Sequence, residues 1–92
     1  MKRLTIQVIG EVQGVFYRAT SKAVADQLGV KGYVMNQPDG SVYIEAEGDN
    51  FALESFLEFC QEGSDRAVVE KLITAEIPLK GCKNFEVVKK KR

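Results

Sequence analysis

Two segments with the 3.6-residue spacing of helices are each enclosed by segments with the two-residue spacing of strands, and no other feature restricts this chain so tightly. Leu4, Ile6 and Val8 alternate with Arg3, Thr5 and Gln7, which predicts a strand with one buried face over Arg3 to Ile9. From Arg18 to Leu28, Ala19, Ala23, Val24 and Leu28 recur at helical spacing. Thr20 or Ser21 is expected to cap the start of this helix and Gly29 to end it. Val30 to Met35 reads as a second strand. Gln37-Pro38-Asp39-Gly40 places Pro and Gly where a type I turn takes them, so a hairpin leads into Ser41 to Glu47, where Val42, Ile44 and Ala46 alternate with polar partners.

Asp49 or Asn50 stands ready to cap a second helix, with Leu53, Phe56, Leu57 and Cys60 on its apolar face and Gly63 at its end. Glu54, Glu58 and Glu62 recur every four residues and read as its solvated face. Arg66 to Ile77 is a fourth strand, followed by a loop from Pro78 to Asn84 and a short fifth strand, Phe85 to Val88. The order β-α-β-β-α-β with a short fifth strand predicts the α+β class and a ferredoxin-like α/β sandwich: a mostly antiparallel sheet with two helices on one face. At 92 residues and 45% hydrophobic, with no repeat or linker, the chain is expected to bury one modest core as a single domain, residues 1–92.

This topology has a consequence for chemistry. A right-handed crossover makes the first two strands parallel, with the third inserted between them, so their carboxyl ends share one edge of the sheet. Two strand spacings are roughly 10 Å. The loop after the first strand and Asn36, at the end of the second, are therefore expected to be neighbours.

Lys plus Arg and Asp plus Glu cancel at 13 each, so no global positive excess draws the chain to nucleic acid or an acidic membrane. The distribution is uneven: Asp39 to Glu70 holds nine acidic residues and one basic residue, whereas Met1 to Asn36 holds five basic and two acidic ones. An anionic ligand is better accommodated in the first third. No run reaches membrane-spanning length, and the apolar stretch after Met1-Lys2-Arg3, interrupted by Thr5 and Gln7, is too short and polar for a signal peptide. A cytoplasmic location is expected.

Histidine is absent, which removes histidine-based nucleophile systems, proton shuttles and the commonest metal ligand together. Cys60 and Cys82 form neither a metal motif nor a redox pair; Cys60 is expected in the core and Cys82 in a loop. No metal site is expected. Catalysis, if any, must use Arg, Asn, backbone amides or carboxylates.

The segment Gly10-Glu11-Val12-Gln13-Gly14-Val15-Phe16-Tyr17-Arg18 joins the first strand to the first helix. Its glycines allow inward-pointing N–H groups, the helix adds its positive end, and Arg18 offers a planar fork of donors: together an anion cradle. It has neither the Lys-Ser/Thr pair of a Walker loop nor the three-glycine dinucleotide spacing. From these residues alone, a structural turn with a surface arginine fits equally well.

Gly10-x-Val12-Gln13-Gly14-Val15-x-x-Arg18, then Gly32-Tyr33-Val34-Met35-Asn36, then Gly40-x-Val42 strongly resembles the paired motifs of the acylphosphatase family. The likeness extends through Gly48 to Phe85-x-Val87. It implies hydrolysis of acyl phosphates (carboxylic phosphoric anhydrides) to a carboxylate and inorganic phosphate, without metal or cofactor. Carried over by position, Arg18 binds the phosphoryl group with the backbone amides of Gly10, Glu11, Val12, Gln13, Gly14, Val15 and Phe16, and Asn36 orients the attacking water. A carboxylate leaves without needing a strong general acid, which suits a chain without histidine.

Two positions depart from the family pattern. Tyr17 replaces the commoner Phe and brings a hydroxyl that needs a partner, and Glu11 puts a carboxylate beside the cradle, which weakens anion binding unless it turns to solvent. The partner expected is a small-molecule acyl phosphate, with no nucleic acid and no membrane, and the chain is expected to be a monomer. The basic tail Lys89-Lys90-Lys91-Arg92 reads as a solvated end. The alternative is a non-catalytic ferredoxin-like anion- or nucleic-acid-binding module. Tyr43, followed at alternate positions by Glu45 and Glu47, opposes RNA binding on the sheet, and Asn36 favours an enzyme over a phosphate sensor.

Overall fold

The structure, a computed structural model, describes residues 1–89; positions 90–92 of the basic tail lie outside the described residues. The elements run β1 (Lys2–Glu11), α1 (Tyr17–Leu28), β2 (Lys31–Asn36), β3 (Val42–Gly48), α2 (Asn50–Glu62), β4 (Val68–Ile77) and β5 (Phe85–Val88). They form a five-stranded sheet in the order β4-β1-β3-β2-β5. β3 pairs antiparallel with both β1 and β2, so β1 and β2 run the same way, and their carboxyl ends share an edge as expected. β1 is also antiparallel to β4, while β5 adds in parallel beyond β2. The ferredoxin-like α+β class is present.

The two-residue alternation decides which face is dry. Leu4, Ile6 and Val8 of β1 and Val42, Ile44 and Ala46 of β3 all bury against the helices, where Leu53, Phe56 and Cys60 of α2 complete the core. Full burial of a side chain such as Phe56 contributes about 1.5–3 kcal/mol. Glu54, Glu58 and Glu62 face solvent. α2 starts where Asp49 accepts the Ala52 N–H at 2.8 Å, and stops at Gly63, whose N–H donates to the Phe59 carbonyl at 2.7 Å. The hairpin turn closes through the Gly40 N–H on the Gln37 carbonyl, 3.1 Å.

α1 departs from expectation at its start. Phe16, not Thr20 or Ser21, is the N-cap residue, and no side chain caps the helix. Thr20 and Ser21 lie inside the helix, where their hydroxyls donate to the carbonyls of Phe16 and Tyr17 at 2.9 and 2.7 Å. That bond lets Ser21 bury, so the dry stripe is Tyr17, Ser21 and Ala25, flanked by Val24 and Leu28, while Ala19 and Ala23 are exposed.

The sheet's other face carries a charge network absent from the sequence expectations. Arg3, 1% exposed, donates to Glu45 Oε1 at 2.6 Å, Glu47 Oε1 at 3.1 Å and Cys82 Sγ at 3.3 Å. Tyr33 and Tyr43 donate to the other Glu45 oxygen at 2.9 and 2.8 Å, and Glu47 accepts the N–H groups of Lys80 and Gly81. Alternation marks Arg3 as polar-faced. It does not reveal that the β4–β5 loop folds over it, anchored by Glu47, and delivers β5 to the sheet edge.

Candidate active site

β1 ends in a bulge between Ile9 and Gly10, after which Gly10 and Glu11 continue pairing with Val69 and Val68 of β4. A Cβ on Gly10 would stand 2.1 Å from the Val68 carbonyl oxygen, so this glycine serves the close approach of β4. The cradle loop proper is Val12 to Phe16.

Side chains hold that loop from both sides. Gln13 Nε2 donates to the carbonyls of Gln37 and Ser41, both at 2.8 Å, tying the loop to the turn that follows Asn36. Ser64 Oγ donates to the Val15 carbonyl at 2.7 Å, tying it to the segment after α2. Gly14 (φ 73°) and Phe16 (φ 62°) take the left-handed backbone that turns the chain into α1. For Phe16 that conformation costs on the order of 1–3 kcal/mol.

The chain then enters α1, and Arg18, its second residue, reaches across to donate through Nη1 to the Val88 carbonyl at 3.3 Å. A cavity of about 280 Å³ opens there. Its walls are Val12, Gly14 and Phe16 from the loop, Tyr17, Arg18 and Ala19 from the helix, Asn36 from β2, and Val87 and Lys89 at the end of β5. No lining residue is acidic. Asn36 ends β2, and its Oδ1 is buried without a hydrogen-bond partner, a position that calls for a donor.

Of the residues singled out by sequence, the structure brings Arg18, Asn36, Val12, Gly14 and Phe16 to one cavity. Gly10 and Glu11 are not brought there; they line a separate cleft with Ile9, Asp39, Gly40, Ser41 and Glu70. The Glu11 side chain is exposed and does not line the cavity, so its carboxylate turns to solvent, the orientation that spares an anion beside the cradle. Gln13 and Val15 do not line the cavity but are the two points at which the loop is tied down.

Tyr17 is buried, and its hydroxyl finds its partner in the Cys60 carbonyl at 2.8 Å. Burial, with the neighbouring Cys60 thiol, pushes the phenol far above its ordinary range, so it stays protonated. Burial likewise pushes the Cys60 thiol up to about 12, which makes it an inert core residue. Among the described residues no group of three or more His, Cys, Asp or Glu side chains is placed to hold a metal ion.

Val87 and Lys89 were missed in the sequence. The register pairing Val34 with Val87 and Met35 with Val88 puts them beside Asn36, and no local signal marks a parallel edge strand. With Arg18 and Lys89 cationic and an unmet buried acceptor in the same cavity, the lining suits a tetrahedral anion and one ordered water.

Comparison with known proteins agrees with this geometry. The family model described as Acylphosphatase matches residues 4–87. An acylphosphatase of Thermotoga petrophila is 48% identical over 87 residues, covering 95% of this chain and 97% of the relative. One of Ligilactobacillus salivarius is 46% identical over 88 residues, covering 95% and 98%. The crystal structure of acylphosphatase from Bacillus subtilis superposes with a TM-score of 0.93 at 38% identity, over 96% of this chain and 99% of that one. A family model over residues 4–87 and near-complete coverage in sequence and in space lead to one conclusion: the chain belongs to the acylphosphatase family.

Proposed function

We propose that this acyl phosphate hydrolase grips the phosphoryl group of its substrate between Arg18 and the main-chain amides of Val12 to Phe16, while Asn36 orients the attacking water. The observation that carries this reading is the buried, unpartnered Oδ1 of Asn36 in the same cavity as the Arg18 guanidinium. A group that only bound phosphate would need donors there, not an acceptor.

The chemistry follows from the residue types. Water attacks phosphorus, the bond from phosphorus to the acyl oxygen breaks, and the carboxylate leaves with the electron pair. The water proton passes to a phosphoryl oxygen, because an amide oxygen accepts a hydrogen bond but is not a base. Arg18 and the loop amides stabilise the charge spread over the phosphoryl oxygens in a loose transition state.

The substrate is a small-molecule acyl phosphate, with no metal or cofactor required of the protein. Residues 1–92 act as a single domain and as a monomer, with neither nucleic acid nor membrane as partner; the balanced charge of 13 against 13 supports this reading. Among the described residues no helix is long and apolar enough to cross a membrane. The two free cysteines suit a reducing cytoplasm. The non-catalytic binding module finds no favouring observation.

The test is phosphate release from benzoyl phosphate in excess chelator by wild type and Asn36→Ala. The variant should lose kcat while free phosphate still inhibits it. An equal loss of phosphate affinity would contradict the division of labour.

A further inference from the structure

Among the described residues, Phe16 alone combines a positive φ, 62°, with a side chain, and the residue is 79% exposed. Both properties are unfavourable. The left-handed region penalises any residue with a Cβ, and a bulky one most; a ring left in water gains nothing from burial. Glycine would relieve both, as Gly14 does two residues earlier at φ 73° with open space around it. Phe16 instead borders two clefts: the Arg18–Asn36 cavity, with the apolar side chains of Val12, Ala19 and Val87, and a second one beside Thr20 and Phe59.

The direction of the reaction says what the ring meets. Attacking and leaving oxygens lie roughly in line on opposite sides of phosphorus. Asn36 Oδ1 is buried, so the water sits on the inner side and the acyl oxygen departs outward, toward solvent. The acyl group therefore emerges where Phe16 is exposed.

We infer that Phe16 is a specificity-determining residue of this chain, whose ring receives the departing acyl group and sets how strongly an aromatic acyl phosphate is favoured over acetyl phosphate. The inference rests on the proposed placement of the phosphoryl group beside Arg18. It assigns the apolar part of the cavity wall to the acyl group and the polar part to the phosphoryl group.

The experiment measures kcat/KM for benzoyl phosphate and acetyl phosphate with wild type, Phe16→Ala, Phe16→Tyr and Arg18→Ala. Phe16→Ala should lower the benzoyl-to-acetyl ratio about threefold to tenfold, the scale of a lost aromatic contact, and Phe16→Tyr should restore it. Equal fractional losses on both substrates in Phe16→Ala would overturn the inference. Disabled Arg18→Ala alongside an unchanged Phe16→Ala ratio sinks this inference alone. Near-normal Arg18→Ala turnover instead sinks the phosphoryl placement beneath it.

Discussion

Nη1 of Arg18 lies 3.3 Å from the carbonyl oxygen of Val88, a hydrogen bond from the second residue of α1 to the last residue of β5. It occupies one donor of a guanidinium that has five, and it aims the rest. The four residues of β5 thus act as a strut for the cationic group, and the loop that carries them is itself fixed by Glu47.

Replacing Arg18 by Ala removes both the phosphoryl ligand and the main charged donor to the transition state. The expected loss in kcat/KM corresponds to about 3 kcal/mol or more. Arg18→Lys keeps the charge without the planar fork and should recover only part of it. Steady-state kinetics decide the matter, and an Arg18→Ala variant with ordinary turnover would contradict the assignment.

Gly10→Ala should unfold more easily without any change at the cavity itself. At φ 143° its Cβ would meet the Val68 carbonyl at 2.1 Å, and backbone on both sides must shift. The expected destabilisation is on the order of 2–4 kcal/mol, read as a lower urea midpoint. A midpoint equal to wild type would show that β4 does not approach this closely.

Tyr17→Phe deletes the hydroxyl that donates to the Cys60 carbonyl at 2.8 Å. That carbonyl belongs to the last turn of α2, where no helical N–H follows to satisfy it. Leaving it buried and unmet should cost about 1–2 kcal/mol in unfolding free energy. An unchanged denaturation curve would mean the bond contributes nothing.

The Arg3 network sets a pH dependence. Burial opposes the charge on Glu45, but hydrogen bonds from Arg3, Tyr43 and Tyr33 outweigh it and hold its carboxyl below the ordinary value of 4.5. The Lys80 amide, against burial and with help from Arg3 and Gly81, does the same for Glu47. Folded-state values below the unfolded ones mean stability that is complete above the ordinary value and lost as the pH falls through the lower ones. The urea midpoint should therefore hold from pH 7 to about 5 and drop below that, as carboxylates protonate. Arg3→Met, which leaves two carboxylates without their cation, should cost about 3 kcal/mol at neutral pH and flatten that drop. A wild-type midpoint insensitive to acid would refute the network's role.

Much of this molecule was readable along the chain. Short-range periodicity found all seven elements, matched β5 at Phe85 to Val88, narrowed the α2 cap to Asp49 or Asn50, of which Asp49 serves, and identified the Gly29 and Gly63 stops and the Gln37 to Gly40 turn. Those features depend on neighbours within a few residues, so composition and spacing suffice to reveal them. The start of α1 was misjudged because Thr20 and Ser21 serve as well inside a helix, bonding back one turn, as they do at its end.

What the sequence determined by itself was the order of elements, the dry faces of β1 and β3 and the joining of a glycine loop to Arg18. Only the tertiary structure decided that Gly10 yields to β4, that Arg3 lies covered beneath the β4–β5 loop beside Cys82, and that Val87 and Lys89 share a cavity with Asn36. The physical reason is separation: Arg3 and Cys82 are 79 residues apart, and Arg18 and Val88 are 70 apart. Such meetings are set by how the sheet orders its strands and how the loops close over it, and no spacing within one segment encodes them.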